Sequence, residues 1–323
     1  MCTEKIDVAI NIFAKPFQTA LALLSLCKQS REHIGTIWLQ FEPAGSKYDE
    51  IHTYYIAPYL LREEGMTCRV FQPQTWFDCA VADTERFHEE AYRMGIRFES
   101  AMEWSTSRLL FLLHNDVLFH KDLVGALADA LGDAFIIGQL GQCWNCPAHD
   151  AVLCRDILNR APCTPDTYMQ FQPTFDEVQR LYAALEERGG FSRSYGDGLH
   201  TVSTFDTAPW PLPECRVNEW ACLLNLQKTK PLTMPFGTGL PFGAYEQCGS
   251  QTLDIGVSWF RTMHHHGMYA KHFALSGWLT HFVGTGHKSQ IRYRQAENHA
   301  LNMLKRFFPG YITWLEGTCQ RHL

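Results

Sequence analysis

The stretch 108–122, RLLFLLHNDVLFHKD, constrains the fold more than any other part of the chain. Its apolar run, residues 109–113, has no polar break, which is typical of a strand buried on both faces at the centre of a parallel sheet. His114, Asn115 and Asp116 follow at once. A carboxylate at this point lies at the carboxyl edge of the sheet, where open α/β sheets bind ligands. The alternative is an Asn-Asp turn that leads into the next helix.

Length, charge and cysteine content exclude several classes of protein. The chain of 323 residues can build a large core in one or two domains, and its net charge of −6 gives no basic field for nucleic acid or anionic lipid. The first residues lack the features of a signal peptide, and no apolar run reaches the roughly 18 residues of a membrane span. Twelve cysteines without a secretory signal are typical of a reducing compartment. We therefore expect a cytoplasmic protein without a nucleic-acid partner or a membrane span.

Strands and helices alternate over the first 140 residues. Apolar runs predict strands at 7–13, 36–42, 68–72, 108–113 and 134–140. Helical periodicity predicts a helix that begins at Pro16, and further helices at 49–64, 87–104 and 121–131. This alternation is typical of an α/β fold with a mostly parallel sheet flanked by helices.

The pattern changes after residue 140. Residues 141–172 are rich in Cys, Pro and polar side chains and predict an irregular insertion, and 231–249 predicts a loop. Further helices are expected at 176–188, 217–226, 254–272 and 294–308. We therefore expect three parts: an α/β domain over 1–140, a Cys-rich insertion over 141–213, and a C-terminal helical part of the same unit over 214–323.

Four cysteines at short spacing mark the insertion, the first two in a CxxC pair: Cys143, Cys146, Cys154 and Cys163. Four thiolates in a segment without its own core suit a structural tetrahedral Zn²⁺ site, in which His149 or Cys215 is an alternative ligand. The spacing lacks the second CxxC pair of a zinc ribbon. Inert thiols and a redox pair therefore stay open as alternatives.

A recognisable order of residues accompanies the α/β pattern: Lys15 and Pro16 after the first strand, Glu42 at the end of the second, and a helix leading into strand-His-Asn-Asp. The segments KPFQTALALLSL, HNDVLFHKDLVG, GQCWNCPA and PLPECRVNEW also resemble those of a bacterial subgroup of GT-A glycosyltransferases, which are family-2-like nucleotide-sugar transferases. The resemblance is good over 6–140 and looser beyond. In that family the aspartate after the central strand belongs to a DxD-type metal motif; here Asp116 matches, and a histidine replaces the first aspartate.

The resemblance implies an enzyme that moves a hexosyl or related group from a nucleotide-sugar donor to a hydroxyl of a glycan, lipid-linked or protein acceptor. Residues 1–140 are then expected to bind the donor, and 214–323 the acceptor. Because the diphosphate leaving group develops negative charge, a divalent cation is expected to assist as a Lewis acid. Mn²⁺ and Mg²⁺ take oxygen ligands, usually one or two carboxylates.

Asp116 is the predicted carboxylate ligand of this cation. GT-A enzymes often add a C-terminal histidine, and the resemblance implies His281 or His287 in WLTHFVGTGH; imidazole suits Mn²⁺ better than Mg²⁺. Donor contacts are expected from Phe13, Lys15, Glu42, Arg97, His114 and Asn115, with the lysine and arginine on phosphate and the glutamate on nucleobase or ribose. The alternatives are a solvated strand end for Glu42 and a helix-surface charge for Arg97.

An inverting enzyme also needs a carboxylate base that takes the proton of the acceptor hydroxyl. In inverting GT-A enzymes the base lies well beyond the metal aspartate at a helix start, a position that Glu214 and Glu219 in PECRVNEW occupy. Glu219 is the predicted base, and Glu214 is expected to be a helix-end charge.

Two rival hypotheses for the function remain. One is a sugar nucleotidyltransferase, disfavoured because NIFAKPFQT has no glycine, and the other is a non-catalytic carbohydrate-binding or scaffold protein.

Overall fold

Strands and helices alternate along the first part of the chain in the computed structural model, which describes residues 4–42, 50–77, 80–140, 148, 150–162, 164, 167, 171, 173–188, 216–248, 251–282 and 289–322. The strands are β1 (Ile6–Ile12), β2 (Ile34–Phe41), β3 (Thr67–Phe71), β4 (Leu109–His114), β5 (Val117–Phe119), β6 (Ile136–Leu140), β7 (Val217–Asn225), β8 (Glu246–Cys248), β9 (Gln251–Leu253), β10 (Ala270–His272) and β11 (Leu279–His281). The α-helices are α1 (Pro16–Ser30), α2 (Glu50–Glu63), α3 (Glu90–Arg93), α4 (Glu99–Trp104), α5 (Leu123–Leu131), α6 (Ala151–Leu153), α7 (Phe175–Glu187), α8 (Leu226–Thr229), α9 (Val257–His265), α10 (Gln290–Phe307) and α11 (Pro309–His322).

A seven-stranded sheet in the order β10-β6-β7-β4-β1-β2-β3 forms the centre of the fold. β1 is parallel to both β2 and β4, β2 is parallel to β3, and β10 is parallel to β6, whereas β7 is antiparallel to β6. The predicted fold class, α/β with a mostly parallel sheet and flanking helices, is therefore confirmed.

The described residues fall into two compact units whose segments interleave along the sequence. The first unit comprises Met1–Pro73, Leu110–Asp129 and Leu275–Leu323, and the second comprises Gln74–Leu109 and Ala130–Ala274. The chain therefore crosses between the units several times, whereas the sequence placed its boundaries at residues 140 and 213.

α1 supplies much of the core of the first unit. Its first residue is a proline, whose fixed φ suits the first helical turn, and the helix packs against β5, α2 and α10. Leu21, Leu23 and Leu26 are fully buried, and burying each such side chain contributes about 1.5–3 kcal/mol to folding. β1 is buried along its whole length, as its run of apolar residues predicts.

The predicted helix at 217–226 is wrong, because this segment forms strand β7, with all nine residues buried. Val217, Trp220, Ala221 and Leu224 have helical spacing, but a strand covered on both faces also reads as a continuous apolar run. The neighbouring strand decides the outcome. Gly138 of β6 leaves room for β7, since a Cβ atom at this position would lie 2.7 Å from Val217 Cγ1.

The predicted helix at 87–104 is also wrong, since it is broken into the 3₁₀ turn Thr84–His88, α3 and α4. Phe98 explains the break before α4, because its left-handed φ of 64° lies outside the helical region. Gly95 lies between α3 and α4, where a Cβ would lie 2.4 Å from the Thr75 carbonyl oxygen, so only glycine fits there.

The remaining predicted elements need smaller corrections. The helix expected at 254–272 ends at His265, and Gly267, with a φ of 73°, precedes strand β10. The loop predicted at 231–249 contains the short strand β8 near its end. Among the helices that the structure describes, none is long and apolar enough to cross a membrane.

Candidate metal and donor site

Two neighbouring parallel strands of the first unit end at one edge of the sheet. β1 and β4 are in register there, with Asn11 opposite His114. Lys15 lies three residues beyond β1, and Asp116 lies two residues beyond β4. The carboxyl edge of a parallel sheet is where α/β proteins bind ligands, so the fold places both side chains in the expected position.

A short antiparallel pair brings a third residue to this edge. β5 follows Asp116 directly and pairs with β11, in which His281 lies opposite Val117. The Phe282 N–H donates to the Asp116 carbonyl oxygen over 2.9 Å, which fixes the end of β11 beside β4. His281, far away in the sequence, is therefore held next to Asp116.

His114, Asp116 and His281 form a cluster whose ligand atoms all lie within 4.8 Å of one another. Asp116 Oδ1 lies 3.2 Å from His281 Nε2 and 4.0 Å from His114 Nδ1. The side chains of the aspartate and His281 are 7% and 11% exposed, whereas that of His114 is 29% exposed. This donor set of two imidazoles and one carboxylate suits a transition-metal ion better than Mg²⁺.

Lys15 binds the other oxygen of the same carboxylate. Its Nζ lies 2.8 Å from Asp116 Oδ2, and the two side chains are only 5% and 7% exposed. Burial alone would raise the pKa of the Asp116 carboxyl, but the Lys15 ammonium and the neighbouring His281 and His114 together hold that pKa well below its usual range. Asp116 is therefore ionised at neutral pH and is able to ligate a cation.

The turn that carries Lys15 is strained. Ala14 and Lys15 have φ values of 45° and 56°, in the left-handed region that non-glycine residues seldom adopt. The buried Asn115 amide donates to the Ala14 carbonyl over 3.2 Å and to Thr19 Oγ1 over 3.0 Å. Such strain persists where surrounding contacts impose it. Asn115, expected to touch the donor, thus has its amide nitrogen engaged in holding this turn.

Glu297 of α10 caps the start of α1, a role that the sequence analysis missed. Its carboxylate accepts hydrogen bonds from the Phe17 N–H at 2.8 Å and from the Gln18 N–H and side-chain amide at 3.3 and 2.9 Å. Lys15, at the N-cap position, gives no side-chain cap. Burial raises the pKa of Glu297, and these hydrogen bonds offset part of that rise. The sequence does hold a sign of this role, because Glu297 is an acidic residue on the buried face of α10 that Tyr293, Ala300 and Leu304 define.

Two further predicted donor residues lie near the end of β1. Glu42 follows β2 directly, is 6% exposed, and donates its N–H to the Ile12 carbonyl over 2.8 Å. The alternative of a solvated strand end is therefore wrong for Glu42. Phe13 is partly buried and packs against Ala14 and Tyr293, so it supports the turn that carries Lys15.

Arg97 belongs to the second unit and lies between α3 and α4, so the alternative of a helix-surface charge is wrong. Its guanidinium lies 5.5 Å from the centre of the Trp76 ring, and it donates to the Tyr245 hydroxyl over 3.4 Å. Its backbone pairs with Gly243. Arg97 is thus held between two aromatic side chains.

Glu219, the predicted base, lies on strand β7 rather than at a helix start. Its carboxylate forms an ion pair with Arg216, whose other terminal nitrogen lies 2.8 Å from Asp254 Oδ2. The Glu219 side chain is 12% exposed and that of Asp254 is 41% exposed. One arginine therefore orients two carboxylates in the second unit.

Several predicted site residues lie outside the described residues: Cys143, Cys146, His149, Cys163, Glu214, Cys215 and His287. Of the four cysteines proposed for zinc, Cys154 is described. It is buried, and its thiol donates to the Ala148 carbonyl over 3.4 Å. Because the other three cysteines are outside the described residues, the zinc site stays a prediction from the sequence.

No protein-family model matches the sequence, and no curated protein matches it. Among solved structures, the mannosyltransferase PcManGT from Pyrobaculum calidifontis, in complex with GDP-Man and Mn²⁺, is 9% identical; the match covers 100% of this chain and 82% of that one, with a TM-score of 0.41. Mouse xyloside xylosyltransferase 1 is 12% identical, with 84% and 85% coverage and a TM-score of 0.38. The 1–349 fragment of S. aureus TarS is 11% identical, with 42% and 34% coverage and a TM-score of 0.30.

These comparisons show sugar transferases among the proteins to which the chain is similar. The chain spans only about a third of the TarS fragment, 34% of its length. Because every one of these TM-scores is below 0.5, the likeness alone establishes neither a family nor an activity.

Proposed function

We propose that this chain is a glycosyltransferase that transfers a sugar, a hexosyl or related group, from a nucleotide-diphosphate donor to a hydroxyl acceptor with the help of a divalent cation. The observation that carries this proposal is the cluster of His114, Asp116 and His281, with Lys15 on the same carboxylate, at the carboxyl edge of a parallel sheet. A diphosphate leaving group needs positive charge at the place where it develops negative charge. This edge combines a cation ligand set with an ammonium group.

The three side chains fit a metal ion by the chemistry of their donor atoms. One ionised carboxylate and two imidazoles lie close enough to converge on one ion, and this mixture favours Mn²⁺ over Mg²⁺. When bound, such a cation would supply Lewis-acid neutralisation of the diphosphate. The protein's contribution is the geometry, since β4, β5 and β11 hold the three ligands together.

The remaining residues of the first unit suit the donor. Lys15 offers its ammonium to phosphate oxygens, and Glu42 offers a carboxylate for hydrogen bonds from a ribose or nucleobase. His114, the most exposed member of the cluster at 29%, is the one most accessible to a ligand.

Glu219 is proposed as the base that takes the proton from the acceptor hydroxyl. Its ion pair with Arg216 holds the carboxylate in one orientation, as general-base catalysis requires. Glu219→Gln should then lose transfer by about 10²–10⁴-fold and keep donor binding. Glu214→Gln is the matched control and should change the rate little. The opposite result would exchange the two roles, and two active variants would exclude an inverting mechanism through either residue.

Three other functions deserve comparison. A sugar nucleotidyltransferase is disfavoured by the absence of glycine between Ile12 and Lys15. A non-catalytic carbohydrate-binding protein would bind the donor without hydrolysing it, and the experiment below measures that difference. Two histidines and one carboxylate also hold Fe²⁺ in non-haem oxygenases. That chemistry gives no function to the Lys15 ammonium group that binds the Asp116 carboxylate.

Thermal-shift screening of the intact protein tests the proposal. UDP and GDP should each be combined with Mn²⁺, Mg²⁺ or Fe²⁺, because a ligand at 100 times its Kd stabilises the fold by about 2.7 kcal/mol. We expect the largest shift with one nucleotide plus Mn²⁺, and no such shift in Asp116→Asn. A shift with Fe²⁺ alone and none with nucleotides would favour the oxygenase. Binding followed by donor hydrolysis, lost in Asp116→Asn, separates an enzyme from a binding protein.

A further inference from the structure

We propose that Lys15 couples the binding of the metal ion to the binding of the diphosphate, so that each ligand binds tightly only when the other is present. This inference rests on the proposed function, since it concerns the same site. Lys15 Nζ lies 2.8 Å from Asp116 Oδ2, and His281 Nε2 lies 3.2 Å from Oδ1. A cation that uses this carboxylate must therefore enter beside an ammonium group that already binds it.

The burial of the pair makes this competition strong. The side chains of Lys15 and Asp116 are 5% and 7% exposed, and a buried charge without a counter-ion is strongly unfavourable. If a metal ion took over the carboxylate, the ammonium would lose its counter-ion. A diphosphate supplies a new one, because its oxygens accept the ammonium hydrogens and also coordinate the metal.

The backbone around Lys15 is fixed, so only its side chain is able to exchange partners. The Asn115 amide holds the Ala14 carbonyl, and the Tyr293 hydroxyl accepts the Lys15 N–H at 3.3 Å. Glu297 binds the N–H groups of Phe17 and Gln18. These contacts occupy the start of α1 with a carboxylate, so an incoming diphosphate does not find those N–H groups available and is directed to the lysine side chain.

The charge balance at the site gives the sign of the coupling. The charges of Lys15 and Asp116 cancel in the free protein. A dication alone adds two positive charges to this buried place, and a diphosphate alone brings negative charge next to the carboxylate. Together the two ligands nearly neutralise each other, which makes their binding mutually favourable, and by thermodynamic linkage the coupling is reciprocal.

A purely structural salt bridge predicts a different behaviour. If Lys15 served only to hold the fold, its removal would loosen the cluster and weaken Mn²⁺ binding. If Lys15 competes with the ion, its removal should strengthen the binding of Mn²⁺ alone. The direction of the change in affinity therefore distinguishes the two roles.

The experiment is a titration of the intact protein with Mn²⁺, with free Mn²⁺ followed by electron paramagnetic resonance, without and with UDP. Asp116→Asn serves as the blank that accounts for Mn²⁺ bound to UDP in solution. In the wild type, UDP should lower the Kd of Mn²⁺ by about tenfold, a usual size for coupled sites. Lys15→Met and Lys15→Gln should bind Mn²⁺ alone about tenfold more tightly, and UDP should then lower that Kd by a smaller factor than in the wild type, because only the direct attraction between the two ligands remains.

Lys28→Met is the matched control, because it removes the same charge from the last turn of the same helix, and it should behave like the wild type. Circular dichroism shows whether each Lys15 variant folds. If one of Lys15→Met and Lys15→Gln does not fold, the Mn²⁺ affinity of the other tests the proposal. Unchanged or weaker Mn²⁺ affinity in the folded Lys15 variants would overturn the coupling while leaving the metal site intact. Failure of the wild type to bind Mn²⁺ with or without UDP would overturn the metal site and, with it, both proposals.

Discussion

At the scale of single residues, the Lys15–Asp116 pair combines a cost in stability with the proposed role in binding. Two charges are taken out of water in a place where they are only 5% and 7% exposed. Well-packed apolar side chains often stabilise such a position at least as well as an ion pair. A buried pair at the carboxyl edge of a sheet is therefore better explained by ligand binding than by folding.

A double-mutant cycle measures what the pair contributes to stability. Asp116→Asn and Lys15→Met should each lower the free energy of unfolding by about 3 kcal/mol, since each leaves one buried charge without its partner. The double variant should lose about 2 kcal/mol less than the sum, because no charge is then left unpaired. Urea unfolding followed by circular dichroism gives these values. Strictly additive losses would mean that the two charges do not interact.

At the scale of secondary structure, α10 acts on the start of α1 through one carboxylate. Glu297→Ala should lower the free energy of unfolding by about 2 kcal/mol, because the N–H groups of Phe17 and Gln18 lose their acceptor. The exposed neighbour Asn298 offers the control, and Asn298→Ala should change stability by less than about 0.5 kcal/mol. Equal effects in urea unfolding would show that Glu297 does not cap the helix.

A second element-scale prediction concerns Glu99 in the first turn of α4. Burial and the neighbouring Glu103 raise the pKa of this fully buried carboxyl well above its usual value, and Arg93 and Lys230 only partly oppose this. The folded state therefore binds the proton more tightly than the unfolded state does. Its contribution to stability is fully present below the unfolded pKa of about 4.3 and is lost as the pH rises through the folded pKa.

Glu99→Gln removes this dependence. We expect the variant to gain stability relative to the wild type as the pH rises from about 4.5 to 8, as measured by urea unfolding at several pH values. Glu103→Gln is the matched comparison and should destabilise at neutral pH, because Glu103 forms a buried ion pair with Arg93. A difference between Glu99→Gln and the wild type that does not vary with pH would show that Glu99 titrates normally.

The sequence predicted those elements whose structure is decided locally. Long apolar runs predicted β1 and β4, and the polar residues after them predicted Asp116 as a metal ligand and Lys15 as a phosphate contact, but not the ion pair between the two. β7 was missed because its apolar spacing fits a helix as well as a buried strand, and only pairing with β6 distinguishes them. Glu297 stands out locally as an acid on the apolar face of α10, but its partners lie 279 and 280 positions away, so no local pattern identifies what it binds.

At the scale of the whole molecule, the interleaving of the two units also comes from contacts between segments that are distant in the sequence. The first unit takes its C-terminal helices from residues after 275 and its β4 segment from the middle of the chain. Parallel sheets bring segments distant in sequence side by side, which is why each unit takes segments from separate parts of the chain. His281, the proposed metal ligand, reaches Asp116 through this long-range order.

The overall charge also bears on how a donor binds. A net charge of −6 repels an anionic nucleotide, so any affinity must come from local groups, and the proposed local cation, Lys15, is 5% exposed at its side chain. Salt screens exposed charges far more than buried ones. The affinity for UDP or GDP with Mn²⁺, whichever shifts the melting temperature, should therefore change less than about threefold between roughly 50 and 300 mM KCl.

Isothermal titration calorimetry at four salt concentrations tests this expectation, with Lys15→Met and the exposed-site control Lys28→Met alongside the wild type. Screening of the overall negative charge should if anything favour association, which opposes any loss at the site itself. A fall in affinity of tenfold or more over this range, of the order seen when several phosphate contacts are made at a solvent-exposed surface, would place the nucleotide on exposed lysines and arginines. The same fall in Lys15→Met would exclude the buried carboxylate edge as the place where the diphosphate binds.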